Sequence, residues 1–437
     1  MVTTMQGIAP PAGDLRRLQL FFLAAAVFVV SAGYGALVPV LPALISEQMP
    51  DLDPVLLARH VGYLSGVYTA GVVIGAPAWG YASDYVGRPR TLIAGLTAYV
   101  ASMLLLLVPS IGGLYTIYLL RFTAGIAVAA VVPMVPALVA GHTPKALRAR
   151  RFAWLGAASL LGFLLSPGLN AAADALVGLV LESDAPSVLS ARIVILLAAI
   201  LGAFMMIGLA WNLPAGPDAA ETERGAEEMQ ERPHLVALGC LSMAVMFALA
   251  GFEIGIVLQG RQHADLSTQG VALMFAECSL VMLVINALLF FTSLLDRVSS
   301  RLLIMLGALI GMSGLVVLSL HQSVQWMFLG VSLMSAGTGL VLPVISFLAA
   351  SSSSSRLSAT MGWLAVASGI GQTLGSAAGG WILTGPGQSG FAWYMPALLL
   401  VLLLPLTVAS WGRPHQDSPS SSAGKPQEFR SCERKCQ

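Results

Sequence analysis

The stretch GYASDYVGRPR, Gly80–Arg90, places one carboxylate, two arginines and a Gly-Arg-Pro turn between two long apolar segments. Each flanking segment approaches the length of about 20 apolar residues that a helix needs to cross a bilayer. Gly87 permits a sharp turn, and the arginines Arg88 and Arg90 favour a loop that stays in water. The stretch is therefore predicted to be a short polar loop between two transmembrane helices.

The same contrast between apolar runs and sparse charges extends along the whole chain. Its 437 residues are 57% hydrophobic and only 10% charged, whereas soluble domains carry about 25% charged residues. Four runs contain no charge at all: Leu18–Ser46, Thr91–Leu120, Leu302–Ser355 and Leu357–Gly412. The last two runs are long enough for two spans each. We therefore predict an all-α integral membrane protein.

Division of the apolar runs at turn residues and charges predicts twelve transmembrane helices in two pseudo-symmetric six-helix bundles. The predicted spans are 18–45, 61–82, 91–109, 114–138, 152–177, 190–213, 235–258, 270–293, 302–320, 325–349, 358–384 and 391–411. The predicted domains are a cytoplasmic segment 1–17, a first bundle 18–213, an acidic linker 214–233, a second bundle 234–411 and a disordered tail 412–437.

The two predicted bundles resemble each other in sequence. A shift of about 210 residues lays Gly162–Asn170 over Gly371–Gly379, with small or turn-prone residues at matching steps. Weak repeats of six spans are typical of transporters whose site lies between the halves.

The basic residues decide the predicted orientation. With a cytoplasmic N-terminus, all but four of the 22 lysines and arginines lie in cytoplasmic segments. The four exceptions are Arg59, Arg121, Arg192 and Arg261. This is a strong positive-inside asymmetry, and it predicts a multi-pass protein of the cell (inner) membrane with both termini in the cytoplasm. The first apolar run is too long for a cleavable signal peptide, and no small-residue cleavage site follows it.

The loop at Gly80–Arg90 resembles the signature G-x-x-x-D-x-x-G-R-[KR] of the major facilitator superfamily, with Pro89 where a second basic residue is usual. Asp296-Arg297 resembles a degenerate second copy. The resemblance implies the major facilitator fold over about 18–411, a transport function and a conformational latch between the halves. In that latch Gly80 admits a neighbouring helix, and a carboxylate meets the positive N-terminus of the eleventh helix. The latch residues are Gly80, Asp84, Gly87, Arg88 and Arg90.

Two further motifs in the first half resemble family patterns. Arg121–Ala127 is similar to R-x-x-Q-G-x-G of proton-coupled members, with Ala124 and Ala127 departing from it. Gly162, Ser166, Pro167 and Asn170 resemble the helix-packing motif G-x-x-x-G-P-x-x-G-G of drug/proton antiporters, again with departures. These resemblances imply alternating-access transport of a small organic solute, with proton-coupled efflux favoured. A proton symporter that imports a metabolite, and a non-transporting membrane sensor, remain as alternatives.

Four ionisable residues lie inside predicted spans: Arg121, Asp174, Glu253 and Glu277. A charged group near the bilayer centre costs at least about 2.5–3.5 kcal/mol, so these four are the candidates for proton coupling. Arg121 could instead form a structural ion pair, Asp174 could be interfacial, and the glutamates could be protonated structural residues. Glu253 and Glu277 have similar predicted depth on adjacent antiparallel spans. If they face each other, the ionisation of one disfavours that of the other.

The polar residues Tyr34, Asn286 and Gln372 are further candidates to line a substrate cavity. The sequence contains no phosphate loop, no metal-ligand cluster and no nucleophile with a base, so we expect neither an enzyme nor a cofactor or metal site. The methionines near Cys240 and Cys278 are interpreted as apolar filling rather than as a soft-metal site. The expected partners are a small-molecule substrate, protons and the lipid bilayer, without nucleic acid, and the protein is expected to act as a monomer.

Overall fold

The computed structural model describes residues 17–108, 113–132, 134–143, 145–180, 187–213, 233–262, 268–292, 297–320, 323–351 and 357–382. In the first half the helices are α1 Arg17–Leu37, α2 Leu41–Gln48, α3 Pro54–Val86, α4 Arg88–Leu106, α5 Leu114–Val128, α6 Met134–Gly141, α7 Lys145–Val180 and α8 Ser187–Asn212. A 3-10 turn, Val38–Val40, joins α1 to α2. In the second half they are α9 Pro233–Gln262, α10 Thr268–Phe291, α11 Ser300–Leu320, α12 Val324–Ser351 and α13 Leu357–Ile382.

The helices confirm the predicted all-α membrane architecture. Within the described ranges, nine spans are long and apolar enough to cross a membrane. The predicted eleventh span corresponds to α13. The predicted twelfth span 391–411, the linker up to residue 232 and the tail lie outside the described residues.

The fourth predicted span, 114–138, is wrong as a single helix. The chain forms α5 and α6, and between them residues 129–132 make a turn in which Ala130 N donates to Ala127 O at 3.1 Å. Proline lacks the amide hydrogen that a continuing helix needs, and it disfavours the α conformation of the residue before it. Pro133, which follows the turn, accounts for the end of the helix here.

The predicted turn at Gly87 is confirmed. Gly87 has φ of 91°, a conformation that glycine adopts at little cost. Its amide donates to Ser83 O at 2.9 Å and closes α3, and α4 begins at the next residue. At the opposite end of α3, the Asp53 side chain accepts a hydrogen bond from Val55 N at 2.6 Å. We call the two ends of the bundle the Asp53 end and the Gly87 end.

The predicted internal repeat is visible in the helix packing. α7 crosses α1, and α13 crosses α9, as equivalent pairs of the two halves. A Cβ atom on Gly162 would lie 2.4 Å from Phe28 O, and one on Gly371 would lie 2.1 Å from Met243 O. The backbones therefore approach too closely at both crossings for any larger residue to fit without a shift.

A pair of serine hydroxyls accompanies each crossing. Ser31 and Ser159 are 2.8 Å apart between α1 and α7, and Ser242 and Ser368 are 2.6 Å apart between α9 and α13. Small residues that allow close approach and hydroxyls that bond across helices are the usual means of helix association in lipid. The two halves thus use the same packing device.

Candidate functional site

Polar side chains from both halves meet inside the bundle. The central polar cluster consists of Tyr34 on α1, Tyr68 on α3, Arg121 on α5, Glu253 on α9 and Gln372 on α13. The Tyr34 hydroxyl lies within hydrogen-bonding reach of Gln372 and within electrostatic reach of both Glu253 and Arg121. Four of the predicted site residues are therefore brought together, although they are spread over most of the chain.

Arg121 is the most deeply enclosed charge of the cluster. Its side chain is 1% exposed, and its guanidinium carbon lies 4.5 Å from the centre of the Tyr68 ring. A guanidinium over an aromatic face is stabilised by the ring quadrupole. Nε and Nη2 have no hydrogen-bond partner among the described residues. Two donor nitrogens of Arg121 thus remain without a partner in the described part of the chain.

Glu253 supplies a carboxyl group from the second half. It is partly buried on α9 between Phe252 and Ile254, each of which is 1% exposed. Its carboxyl group lies within electrostatic reach of Tyr34 on one side and of Cys278 on the other. Among the described residues, Glu253 forms neither an ion pair nor a hydrogen bond. The Tyr34 hydroxyl is therefore the one cluster group within electrostatic reach of both Arg121 and Glu253.

Glu277 lies apart from the central cluster. Ser332 on α12 donates a hydrogen bond to Glu277 Oε1, and Oε2 has no partner in the described ranges. Glu277 falls on the same stripe of α10 as Leu273 and Leu280, both of which are exposed on the surface of the bundle. It does not contact Glu253 in the described structure, so the condition for direct repulsion between the two carboxylates is not met.

The remaining polar candidates also lie outside the cluster. Asn286 donates to Met282 O at 2.8 Å within its own helix α10. Asp174 on α7 accepts a hydrogen bond from Gln269 on α10 at 3.2 Å, and this bond joins the two halves. Asp174 is therefore placed at a contact between the halves rather than beside Arg121.

The helix-packing motif on α7 has a local role that the sequence did not reveal. Pro167 has no amide hydrogen for Phe163 O, its partner four residues earlier. The Ser166 hydroxyl donates to that carbonyl instead, at 2.7 Å. Asn170 Nδ2 donates to Ser166 O at 3.4 Å. Ser166, at the position where the family motif has glycine, thus donates a hydrogen bond to the Phe163 carbonyl oxygen that Pro167 leaves without a backbone donor.

A seam between α3 and α13 holds the halves together on the side of the Asp53 end. A Cβ atom on Gly62 would lie 2.7 Å from Gly380 Cα, and the hydroxyls of Thr69 and Thr373 are 3.0 Å apart. The two helices run antiparallel, so each step of three or four residues along α3 meets an equal step back along α13. The contacts of this α3/α13 seam are Gly62 with Gly380, Gly66 with Ala377, Thr69 with Thr373 and Val73 with Gly369.

The seam ends before the Gly87 end. Gly80 follows Val73 by seven residues, and Gly362 precedes Gly369 by seven residues, so these glycines are the next partners in register. A Cβ atom on either glycine would meet no described atom within 4 Å. Among the described residues, the contacts between α3 and α13 therefore do not extend to Gly80.

A crevice of about 570 Å³ lies outside the cluster, between α3, α5 and α13. His60 Nδ1 and the Tyr118 hydroxyl, 2.8 Å apart, form its polar part. Tyr115 on the same wall is 88% exposed. The crevice therefore lies beside the α3/α13 seam between the halves and opens to the surroundings of the bundle.

Sequence reasoning missed Tyr68 and the serines of α12. Tyr68 lies in an uncharged run, and nothing local indicates that its ring meets a guanidinium on another helix. Ser332 and Ser335 bind Glu277 and Cys278, respectively. Serine is frequent in apolar helices, so neither position carries a sequence signal of its own.

Comparison with known proteins agrees with this architecture. A family model described as Major Facilitator Superfamily matches residues 23–290 and 278–433. A class D tetracycline resistance protein of Salmonella ordonez is 26% identical over 328 residues, which is 72% of this chain and 76% of that protein. The quinolone resistance protein NorA of Staphylococcus aureus is 27% identical over 153 residues, 35% of this chain and 37% of NorA.

Solved structures show the same fold at low sequence identity. The human organic anion transporter MFSD10 superposes with a TM-score of 0.68 at 17% identity, covering 90% of this chain and 99% of that one. The xylose transporter XylE of E. coli, in a partially occluded inward-open conformation, gives 0.65 at 18% identity, with 90% and 96% covered. From the family match and the shared fold, the chain belongs to the major facilitator superfamily and is a multi-pass membrane transporter.

Proposed function

We propose that this transporter exports a small organic solute across the cell membrane in exchange for protons. The observation that supports it most is that the two ionisable residues of the central cluster come from different halves. Arg121 belongs to the first half and Glu253 to the second, and the Tyr34 hydroxyl lies within electrostatic reach of both. An ionisable residue inside a membrane is costly, and it is retained where a pathway or proton relay needs it.

Glu253 is proposed as the proton carrier. Burial disfavours the charged form of a carboxyl group, so Glu253 can take a proton from one side of the membrane and lose it when the substrate arrives. Arg121 then acts as the fixed positive charge that the deprotonated carboxylate approaches. Glu277 is proposed as a structural residue, since its hydrogen bond to Ser332 ties α10 to α12 within the second half.

Alternating access is proposed to proceed by rocking of the two bundles about the α3/α13 seam. We place the Gly87 end in the cytoplasm, in agreement with the basic residues of the loop. With this orientation we assign the structure to a state closed outside and open inside, since the described contacts of the seam do not extend to Gly80. In the opposite state the latch residues Gly80, Asp84, Gly87, Arg88 and Arg90 would hold the Gly87 end against α13.

The names of the relatives suggest the compounds for a first test. Purified protein in proteoliposomes would be given an imposed pH gradient, and tetracycline and a fluoroquinolone would be followed by fluorescence. If the compound accumulates inside the vesicles while protons leave them, the protein exchanges substrate for protons, as the proposed export requires. If the compound accumulates together with an inward flow of protons, the protein is a symporter. Transport that does not depend on the imposed pH gradient would contradict proton coupling.

The role of Glu253 would be separated from that of Glu277 by matched variants. Glu253→Gln is expected to abolish gradient-driven accumulation and to keep exchange of labelled for unlabelled substrate, because the neutral amide mimics a permanently protonated carboxyl group. Glu277→Gln is the control, and it is expected to retain gradient-driven transport. If Glu253→Gln concentrates substrate as the unmodified protein does, Glu253 is not the carrier.

A further inference from the structure

The crevice between α3, α5 and α13 has mainly apolar walls. They include Tyr63, Val67 and Ala70 on α3 and Ala377 on α13. Tyr63 and Ala70 are seven positions apart in the chain, so this part of the crevice extends about 10 Å along α3 at 1.5 Å per residue. The volume of about 570 Å³ lies within the range of about 300–1,000 Å³ that is usual for small-molecule sites. The crevice is therefore large enough to hold a bound molecule that is mainly apolar.

The rim of the crevice at the Asp53 end is basic and aromatic. Arg59 lies one turn before Tyr63 on the same face of α3, and Trp381 lies one turn after Ala377 on the same face of α13. The Arg59 guanidinium carbon lies 5.4 Å from the centre of the Trp381 ring. Stacking uses the flat face of a guanidinium, whereas oxyanions bind at its N–H edge. The stacked geometry is therefore compatible with binding of an anion at the rim.

His60 adds a second polar group next to Arg59. Its Nδ1 and the Tyr118 hydroxyl are 2.8 Å apart. When that hydroxyl donates to Nδ1, the ring hydrogen is on Nε2, which can donate to an oxygen of a bound anion. The side chains of α3 and α5 thus hold the imidazole in place at the rim.

The rim lies at the depth of lipid headgroups. Arg59 and His60 directly precede the predicted apolar span 61–82. Tyr115 and Trp381 are 88% and 58% exposed, and both residue types are enriched at the boundary between hydrocarbon and water. With the orientation proposed above, this end of the bundle lies in the outer leaflet.

We propose that the crevice binds an anionic phospholipid of the outer leaflet, with the phosphate at Arg59 and His60 and one acyl chain between α3, α5 and α13. A basic rim at headgroup depth and apolar walls beneath it match the two parts of such a lipid in their order across the membrane. Basic sites between membrane helices are known to bind anionic headgroups. Arg59 is also one of the residues that depart from the positive-inside asymmetry, and an anionic headgroup accounts for a cation on this side. The proposal depends neither on the direction of transport nor on proton coupling.

The predicted twelfth span and a second copy of the chain are the competing occupants. In the internal repeat the twelfth span, which lies outside the described residues, corresponds to α8, and α8 packs on α1 and α4. The repeat therefore predicts contacts of that span with α9 and α11 rather than with α3 and α5. A second copy would have to present an anionic group at the level of the rim, as a phospholipid does with its headgroup.

The test uses two lipids that differ only in the headgroup, phosphatidylglycerol and phosphatidylcholine, with the same photoreactive acyl chain. The full-length protein in phosphatidylcholine vesicles receives a trace of either probe and is irradiated without substrate or gradient. Labelled positions are identified by mass spectrometry. Labelling around the crevice is divided by labelling of the outer part of α4 near Leu104, which is 46% exposed, to correct for ordinary contact with the bilayer.

We expect the phosphatidylglycerol probe to label the crevice about fivefold more than the phosphatidylcholine probe, the effect of one basic side chain on an anionic headgroup. Arg59→Gln should bring this ratio close to one, and Arg59→Lys, which keeps the charge, should preserve most of it. Arg192→Gln is the matched control and should leave the ratio unchanged. Arg192 also departs from the positive-inside asymmetry, but it pairs with Glu47 near the end of α2.

The place of the acyl chain is tested by filling the crevice. Ala70→Phe should lower labelling of the crevice by both probes severalfold. Ala101→Phe, the same change at an exposed position of α4, should leave that labelling unchanged. If Ala70→Phe also leaves it unchanged, the lipid does not occupy the crevice and the proposal is wrong.

The comparison of the two probes on the unmodified protein needs no variant. Equal labelling of the crevice by both probes overturns the proposal. Label on α4 and none at the crevice also overturns it, and would mean that protein fills the crevice, either the segment beyond Ile382 or a second copy. Failure of proton-coupled export would leave these results unaffected, because the measurement uses neither a gradient nor a substrate.

Discussion

The end of the described α3/α13 contacts at Val73 predicts a contact that forms only in the other state. Gly80 and Gly362 lie seven residues further along the antiparallel register, which is about 10 Å along each helix at 1.5 Å per residue. At both positions a Cβ atom would meet no described atom within 4 Å. If the bundles rock about the seam, these two glycines should approach as Gly62 and Gly380 do now.

The size of the effect follows from that equivalent contact. A Cβ atom on Gly62 would lie 2.6 Å from Ser376 O, so a side chain at Gly80 would meet a similar backbone when the Gly87 end closes. Overpacking costs about 1–3 kcal/mol, and about 1.4 kcal/mol corresponds to a tenfold change. We expect Gly80→Leu to lower the population of the closed state, and with it the transport rate, by about 5- to 150-fold.

Two assays check this prediction. Transport by Gly80→Leu is compared with that by Gly156→Leu, which also adds a side chain where no described atom lies within 4 Å, but on α7. In a cysteine-free background, a Gly80→Cys/Gly362→Cys pair should form a disulfide during turnover, which requires Cα atoms within about 7 Å. If Gly80→Leu transports normally and the cysteine pair forms no cross-link under any gradient, Gly80 and Gly362 do not come into contact during transport.

Three further substitutions have expected outcomes. Asp84→Asn should insert normally but lose transport strongly, since it removes the latch charge; wild-type flux in vesicles would leave the loop as a topological anchor only. Gly33→Ala would put a Cβ atom 2.2 Å from Tyr99 Oη and should destabilise the protein by about 1–3 kcal/mol, measured by thermal unfolding in detergent. Ser166→Ala leaves Phe163 O without the hydroxyl that bonds it and should cost about 1–3 kcal/mol; an unchanged unfolding temperature would contradict that role.

The parts of the fold that depend on local chemistry were predictable from the sequence. Apolar length and charge placement predicted the membrane-spanning helices, and glycine predicted the turn at Gly87. The repeat could be read because Gly162 and Gly371 occupy equivalent crossings, where only a hydrogen fits between the backbones. The break between α5 and α6 was missed because the surrounding residues are apolar throughout, and length alone favoured one span.

The candidate site was only partly predictable, because counting residues gives depth along a helix but not the direction of a side chain. Glu253 and Glu277 have similar predicted depth, yet one reaches Tyr34 and the other bonds to Ser332. In a soluble helix the apolar stripe marks the buried face. In a membrane helix both faces are apolar, so α10 shows no such contrast around Glu277, and packing against other helices decides the direction.

The seam and the cluster are connected through adjacent residues. Thr69 and Thr373, whose hydroxyls bridge α3 and α13, directly follow the cluster residues Tyr68 and Gln372 in the chain. Rotation of the halves about this level would move Gly62 and Gly80 in opposite directions while shifting Tyr68 and Gln372 least. The contact between the Tyr34 and Tyr68 rings, whose centroids lie 5.1 Å apart, would then persist in both states. Arg121 and Glu253 belong to different halves, so the same rotation would change the separation between Arg121 and α9, the helix that carries Glu253. Protonation of Glu253 and closure of either end of the bundle would therefore both act on the separation between Arg121 and α9.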